Sequence, residues 1–95
     1  MHFVAICLDK PNALETRLAS RADHLAFLGE SPEIVRLGGP FLDSAGQPVG
    51  SMLILDLPDE AAARAFLARD PYAKAGLFAS VDLRAYRPVL GVSLS

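Results

Sequence analysis

Residues 2 to 8, HFVAICL, are apolar at nearly every position and rich in Phe, Val and Ile, which predicts a strand buried on both faces. DKPNA interrupts the run. Pro11 suits the first turn of a helix, and Leu14, Leu18, Ala22, Leu25 and Leu28 then recur at spacings of three and four, predicting an amphipathic helix with these residues as its buried stripe. GESPE ends that helix at Gly29 and Pro32, and IVRLGGPFL follows as a second strand, cut by Gly38, Gly39 and Pro40. DSAGQPVG has the composition of a loop joining antiparallel strands, and SMLILDL, apolar almost throughout, predicts a central third strand. Pro58 and Asp59 open a second helix whose stripe is Ala63, Phe66 and Leu67, and Pro71 biases Asp70 out of helical angles and ends it. The last strand, LFASVDLRAYRP, alternates, with Leu77, Ala79, Val81, Leu83 and Ala85 on one side.

Strand, helix, strand, strand, helix, strand is the order of an α+β, ferredoxin-like βαββαβ sandwich: a four-stranded antiparallel sheet with two helices on one face. The opposite face is then bare, yet strands one and three carry apolar residues on both sides. A second copy of the same sheet is the simplest cover, so a homodimer with sheets packed face to face is expected.

Composition narrows the reading further. Ninety-five residues with no linker-like tract predict one domain, residues 1–95. Hydrophobic residues make up 52% and charged residues 21%, rich for so small a domain, which again favours apolar surface buried against another subunit. The formal charge of −2 gives no basic field for nucleic acid or anionic membranes. The exposed sheet also lacks the stacking aromatics of an RNA-recognition module. Cys7 is alone, no apolar run approaches the roughly 18 residues of a membrane span, and no signal-type leader is evident, so the expected location is cytoplasmic.

On a helical wheel with Leu14 at zero, Arg17, Arg21 and His24 fall at about −60°, −20° and −80°, with Arg21 inside the leucine stripe. Desolvating a guanidinium without a partner costs several kcal/mol, so an acid or a ligand is expected to pair with Arg21. Equally, Arg21 can run along the sheet edge with its head in water while His24 stays half-exposed. In DPYAKAG, residues 70 to 76, Asp70 continues the buried line of Ala63, Phe66 and Leu67. Asp before Pro, with Gly five residues beyond that Pro, is the signature of a capped one-turn helix. Both helices pack on one sheet face, so Asp70 can also reach His24, and capping and pairing are compatible because a carboxylate has two oxygens. In RLGGPF the Gly-Gly-Pro break either leaves room for something to approach the backbone or is a plain edge bend. Ser51, at the start of strand three, adds a hydroxyl to the same end of the sheet. No metal is expected, since His2, Cys7, His24 and Asp70 lack ligand spacing, and there is no phosphate-binding loop.

FVAICLDKPNALETRLASRADHLAFL, the GGP of residues 38 to 40, GSMLILDL at 50 to 57 and DPYAKAGLF at 70 to 78 together resemble the YciI-like, or YCII-related, family over nearly the whole chain. That family is similar to muconolactone isomerase-like proteins in fold, a dimeric α+β barrel of the ferredoxin-like type. The resemblance implies a bacterial protein with a catalytic His–Asp pair, and one relative is implicated in dehydrochlorination of a chlorinated aromatic. Carried over, it points to His24 and Asp70 as the catalytic pair, with Arg21, Gly39, Pro40 and Ser51 as substrate-binding neighbours. FLDSAGQPVGS is shorter than the equivalent loop of some relatives, which changes the pocket rim. The function implied is cofactor-independent isomerase, lyase or dehydrochlorinase chemistry on a small molecule. The alternative is a dimeric metabolite-binding or structural module in which the pair only fixes helix packing.

Overall fold

The computed structural model describes residues 1–91 and 93. The elements are β1 (His2–Asp9), α1 (Leu14–Gly29), β2 (Val35–Leu42), β3 (Pro48–Asp56), α2 (Glu60–Ala68), the one-turn α3 (Pro71–Lys74) and β4 (Phe78–Tyr86). The strands form one antiparallel sheet in the order β2-β3-β1-β4, an α+β ferredoxin-like arrangement with β1 and β3 in the centre. That is where the two runs apolar on both sides belong, because a central strand has no solvated edge.

The core lies between the sheet and the helices. Phe3, Ala5 and Cys7 of β1, Leu53 and Leu55 of β3 and Leu83 of β4 point inward and meet Ala63, Phe66 and Leu67 of α2. The alternation of β1 leaves Val4, Ile6 and Leu8 on the outer face, beside their β3 partners Ile54, Met52 and Gly50. On β1 and β3 the outer face is therefore apolar, while the β4 residues beside it are Ser80, Asp82 and Arg84.

Local chemistry explains most boundaries. Asp59 caps α2, its side chain accepting from the Ala62 N–H, and Asp70 caps α3 in the same way from Tyr72, with Pro71 as the first helical residue. Gly76, at φ 71°, takes the left-handed turn that leads into β4. The loop after β2 is closed by Asp43, whose carboxylate accepts from the N–H groups of Ala45 and Gln47.

Three expectations are corrected. β2 is not cut at the Gly-Gly-Pro: Gly38, Gly39 and Pro40 pair in register with Leu53, Met52 and Ser51. An edge strand tolerates a proline because only one of its sides needs donors. Pro11 lies in a turn ahead of α1 rather than in its first turn, and Asn12 makes the reversal with φ 57°. The leucine stripe of α1 is not its buried face, since Leu14, Leu18 and Leu25 are exposed and only Arg17 and His24 are fully buried. The helix is rotated about its axis so that the edge carrying Arg17 and His24 faces α3 and the sheet. The tail VLGVSLS, to which the sequence assigns no role, lies partly outside the described residues, and Val89 and Leu90 are exposed.

Candidate functional site

Arg17 and His24 are seven residues apart, two turns of α1, so both side chains leave the same edge of the helix. Burying a guanidinium and an imidazole requires partners, and each has one. Arg17 makes a side-on fork to Asp9 at the end of β1, with Nε donating to Oδ2 at 2.7 Å and Nη2 to Oδ1 at 3.0 Å. Its Nη2 also donates to Ser51 Oγ at 2.9 Å. Burial works against the Arg17 charge, but the hydrogen bonds and negative charge of Asp9, together with Tyr72, outweigh it and hold the guanidinium more firmly protonated than usual.

His24 Nδ1 lies 2.8 Å from Asp70 Oδ1, both side chains being almost wholly buried. The same oxygen accepts the Tyr72 backbone N–H at 2.9 Å. Toward an ionised carboxylate Nδ1 is the donor, and a neutral ring in that tautomer has its Nε2 lone pair uncommitted among the described residues. The cap and the pairing therefore converge on one oxygen of Asp70 rather than dividing between two.

Tyr72 joins the two systems. Its ring stacks on the imidazole of His24 with centroids 3.8 Å apart and planes at 13°, and the Arg17 guanidinium carbon lies 4.6 Å from the same ring. Only 1% of Tyr72 is exposed. Burial pushes its phenol upward while Arg17 and then Arg21 pull against it. Beneath, Cys7 is sealed in the core, where burial and then Asp70 push its thiol up to about 12 against the pull of Arg17, so it carries no nucleophile.

Above this floor opens a cavity of about 450 Å3, mostly apolar in lining. Its polar wall is Arg17, Arg21, His24, Ser51 and Tyr72. Its apolar walls come from the end of α1, with Leu25 and Leu28, and from β2, with Gly38, Gly39 and Pro40. The leucines that the wheel directed at the sheet thus serve partly as cavity wall. Of the residues singled out in the sequence, His24, Arg21, Gly39, Pro40 and Ser51 all line the cavity, and Asp70 lies behind His24.

Of the readings open for Arg21, an acid, a ligand or a head in water, the acid is not found: the residue is exposed at the cavity, and among the described residues no acid pairs with it. The buried cation is Arg17 instead. Gly38, not Gly39, supplies clearance in β2, because a Cβ at position 38 would come within 2.7 Å of the Leu53 side chain and one at 39 would meet nothing. Sequence reasoning passed over Asp9, the burial of Arg17, and Tyr72.

The fold and site together define a class: a small ferredoxin-like α+β domain with a buried His–Asp pair opening on one apolar cavity. The model of the YCII-related domain matches residues 1–87, and the chain belongs to that family. It is 34% identical over 97 residues to an uncharacterised protein of Haemophilus influenzae, covering 94% of this chain and 99% of that one. To Protein YciI of Escherichia coli it is 32% identical with the same coverage. Among solved structures it is similar to 5-chloro-2-hydroxyhydroquinone dehydrochlorinase (TftG) from Burkholderia phenoliruptrix in complex with 2,5-dihydroxybenzoquinone. That likeness has a TM-score of 0.87 and 30% identity, covering 92% of this chain and 94% of the other. Among the described residues no helix is long and apolar enough to cross a membrane, and no three His, Cys, Asp or Glu side chains are grouped to hold a metal ion.

Proposed function

We infer that the cavity is an active site for general acid–base chemistry on a small oxygenated ring, dehydrohalogenation or isomerisation, with His24 as the proton-transfer group and Asp70 as its positioning partner. The observation that carries this is the His24–Asp70 contact behind a ring that itself lines an apolar cavity. Asp70 fixes the Nδ1–H tautomer and stabilises the imidazolium, so Nε2 is the atom that takes a proton from a bound molecule. In a dehydrohalogenation of a chlorinated hydroquinone the carbon bearing chlorine first takes a proton as one hydroxyl becomes a ketone. A second hydroxyl proton then goes to Nε2, its electron pair moves through the ring and expels chloride, and the net loss is one hydrogen halide, oxidation of the ring being balanced by reduction of the carbon–chlorine bond. Arg21 at the mouth offsets charge on an anionic ligand, and Gly39, Pro40 and Ser51 bound the space it occupies. The dehydrochlorinase of similar structure supports the same substrate class.

The test is chloride release from 5-chloro-2-hydroxyhydroquinone, followed by ion chromatography, in wild type, His24→Gln and Asp70→Asn. Wild type is expected to turn over, and each variant to lose about 10²–10⁴-fold while remaining folded. Absence of release from this compound and from a panel of halogenated hydroquinones sinks the catalytic reading. If Asp70→Asn lowers only stability and leaves ligand affinity unchanged, the pair is a packing device and the domain a binding module.

The outer sheet face, with Val4, Ile6 and Met52, supports a homodimer packed face to face. Ile6→Asp is then expected to yield monomers in sedimentation, and unchanged association would exclude that face.

A further inference from the structure

The hydroxyl of Ser51 has one oxygen and one hydrogen to place, and the structure constrains both. An arginine side chain has donors and no acceptor, so in the 2.9 Å contact with Arg17 Nη2 it is Ser51 Oγ that accepts. The hydroxyl proton is then directed away from Arg17. Among the described residues no acceptor takes it, although Ser51 is only 3% exposed and lines the cavity. A buried donor without an acceptor is costly, and the cavity that Ser51 lines is where a ligand can supply one. The Arg17 charge, locked by Asp9, polarises the O–H bond and strengthens it as a donor.

We propose that Ser51 donates a hydrogen bond to an oxygen anion, or to the carbonyl oxygen that becomes one, on a planar phenolic or enolic ligand. The site then has two complementary halves. Nε2 of His24 withdraws a proton from the ligand, the electron pair stays on the ligand, and the charge that develops on oxygen is met by Ser51 and offset by Arg21. Arg17 does not itself neutralise the ligand, because its charge is already balanced by Asp9. This deepens the acid–base reading and rests on it for the role of His24, whereas the direction of the Ser51 proton follows from the Arg17 contact alone.

4-Nitrophenol, whose phenolate is coloured, and 4-nitroanisole, which has no proton to lose, are suitable probes. In wild type, binding is expected to lower the apparent pKa of 4-nitrophenol by at least one unit. Ser51→Ala is expected to weaken phenolate affinity about tenfold and return most of that shift, while 4-nitroanisole binds both proteins alike. Thermal unfolding of Ser51→Ala accompanies the titrations, and an unchanged midpoint ties the loss to the hydroxyl. An unshifted bound phenol, equal phenolate affinity in the two proteins, or no binding of 4-nitrophenol to wild type overturns the proposal. Failure of the two readings is separable: a phenolate effect of Ser51→Ala without turnover of any halogenated hydroquinone supports the donor and removes the catalyst. Turnover that depends on His24 but not on Ser51 does the reverse.

Discussion

Two buried ion pairs stand on the same edge of α1, and they differ in what each leaves unused. In Asp9–Arg17 the fork occupies both carboxylate oxygens, a further guanidinium donor is taken by Ser51, and the charge on the arginine is permanent. In His24–Asp70 one ring nitrogen is engaged and the other is not, and an imidazole, unlike a guanidinium, can give up and take back a proton. A pair whose two charges are fixed and balance each other holds the fold; a pair with a ring nitrogen open to a cavity can exchange a proton. Tyr72, stacked on His24 and beneath Arg17, keeps the two at fixed separation.

The sharpest way to break this contrast is to remove one half of the closed pair. Asp9→Ala strands Arg17 in the interior, and breaking a buried pair from one side costs about 3–5 kcal/mol. Urea unfolding is expected to show a loss of that order, and Asp9→Leu combined with Arg17→Met is expected to recover most of it. A loss below about 1 kcal/mol would mean that Arg17 finds water or Ser51 sufficient and that the pair is no lock.

Cys7 reports on both pairs at once, since its thiol is raised by burial and then by Asp70, lowered by Arg17 and raised again by Asp9. Its folded value of about 12 exceeds the ordinary 9.0, so the stability it contributes is fully present below pH 9 and is lost as pH rises toward 12. At full ionisation the loss is on the order of 4 kcal/mol. Unfolding followed from pH 8 to 11 is expected to show a progressive decline that Cys7→Ala flattens, with the residue due to Tyr72, whose phenol is also raised. Asp70→Asn should make the decline level off at lower pH and Arg17→Met at higher pH. An alkaline profile indifferent to Cys7 would show that the thiol does not sense either pair.

The fold was legible because it rests on periodicity: two runs apolar on both sides became the central strands, and Asp70-Pro71 with Gly76 became a capped turn of helix. The outward rotation of α1 was not legible. Hydropathy treats Leu18 as more buriable than Arg17, and it is reversed only when Asp9, eight residues earlier on another element, supplies a fork that cancels the desolvation of the guanidinium. The same blindness directed attention to Arg21, which lies in the leucine stripe and for that reason is exposed at the cavity mouth. His24 and Asp70 were found by a different route: the buried line of α2 runs into Asp70, and two helices on one sheet face must bring their inner edges together. Tyr72 escaped because a tyrosine looks like core until its neighbours are known.

The smallest expected change in stability is also the most informative about the open pair. Asp70→Asn keeps the shape of the side chain and, through its amide oxygen, an acceptor for the Tyr72 N–H, so the cap is weakened rather than lost and the cost is about 1 kcal/mol. The imidazole responds differently. An amide oxygen is a poorer acceptor than a carboxylate, and an asparagine turned so that its NH2 faces Nδ1 favours the opposite tautomer, with the proton on Nε2. Nitrogen-15 spectra of the His24 ring are expected to show Nδ1–H in wild type and a mixed or reversed population in the variant. A ring whose tautomer is unchanged would show that Asp70 serves α3 alone and does not set the proton on His24, and the contrast between the two pairs would lose its basis.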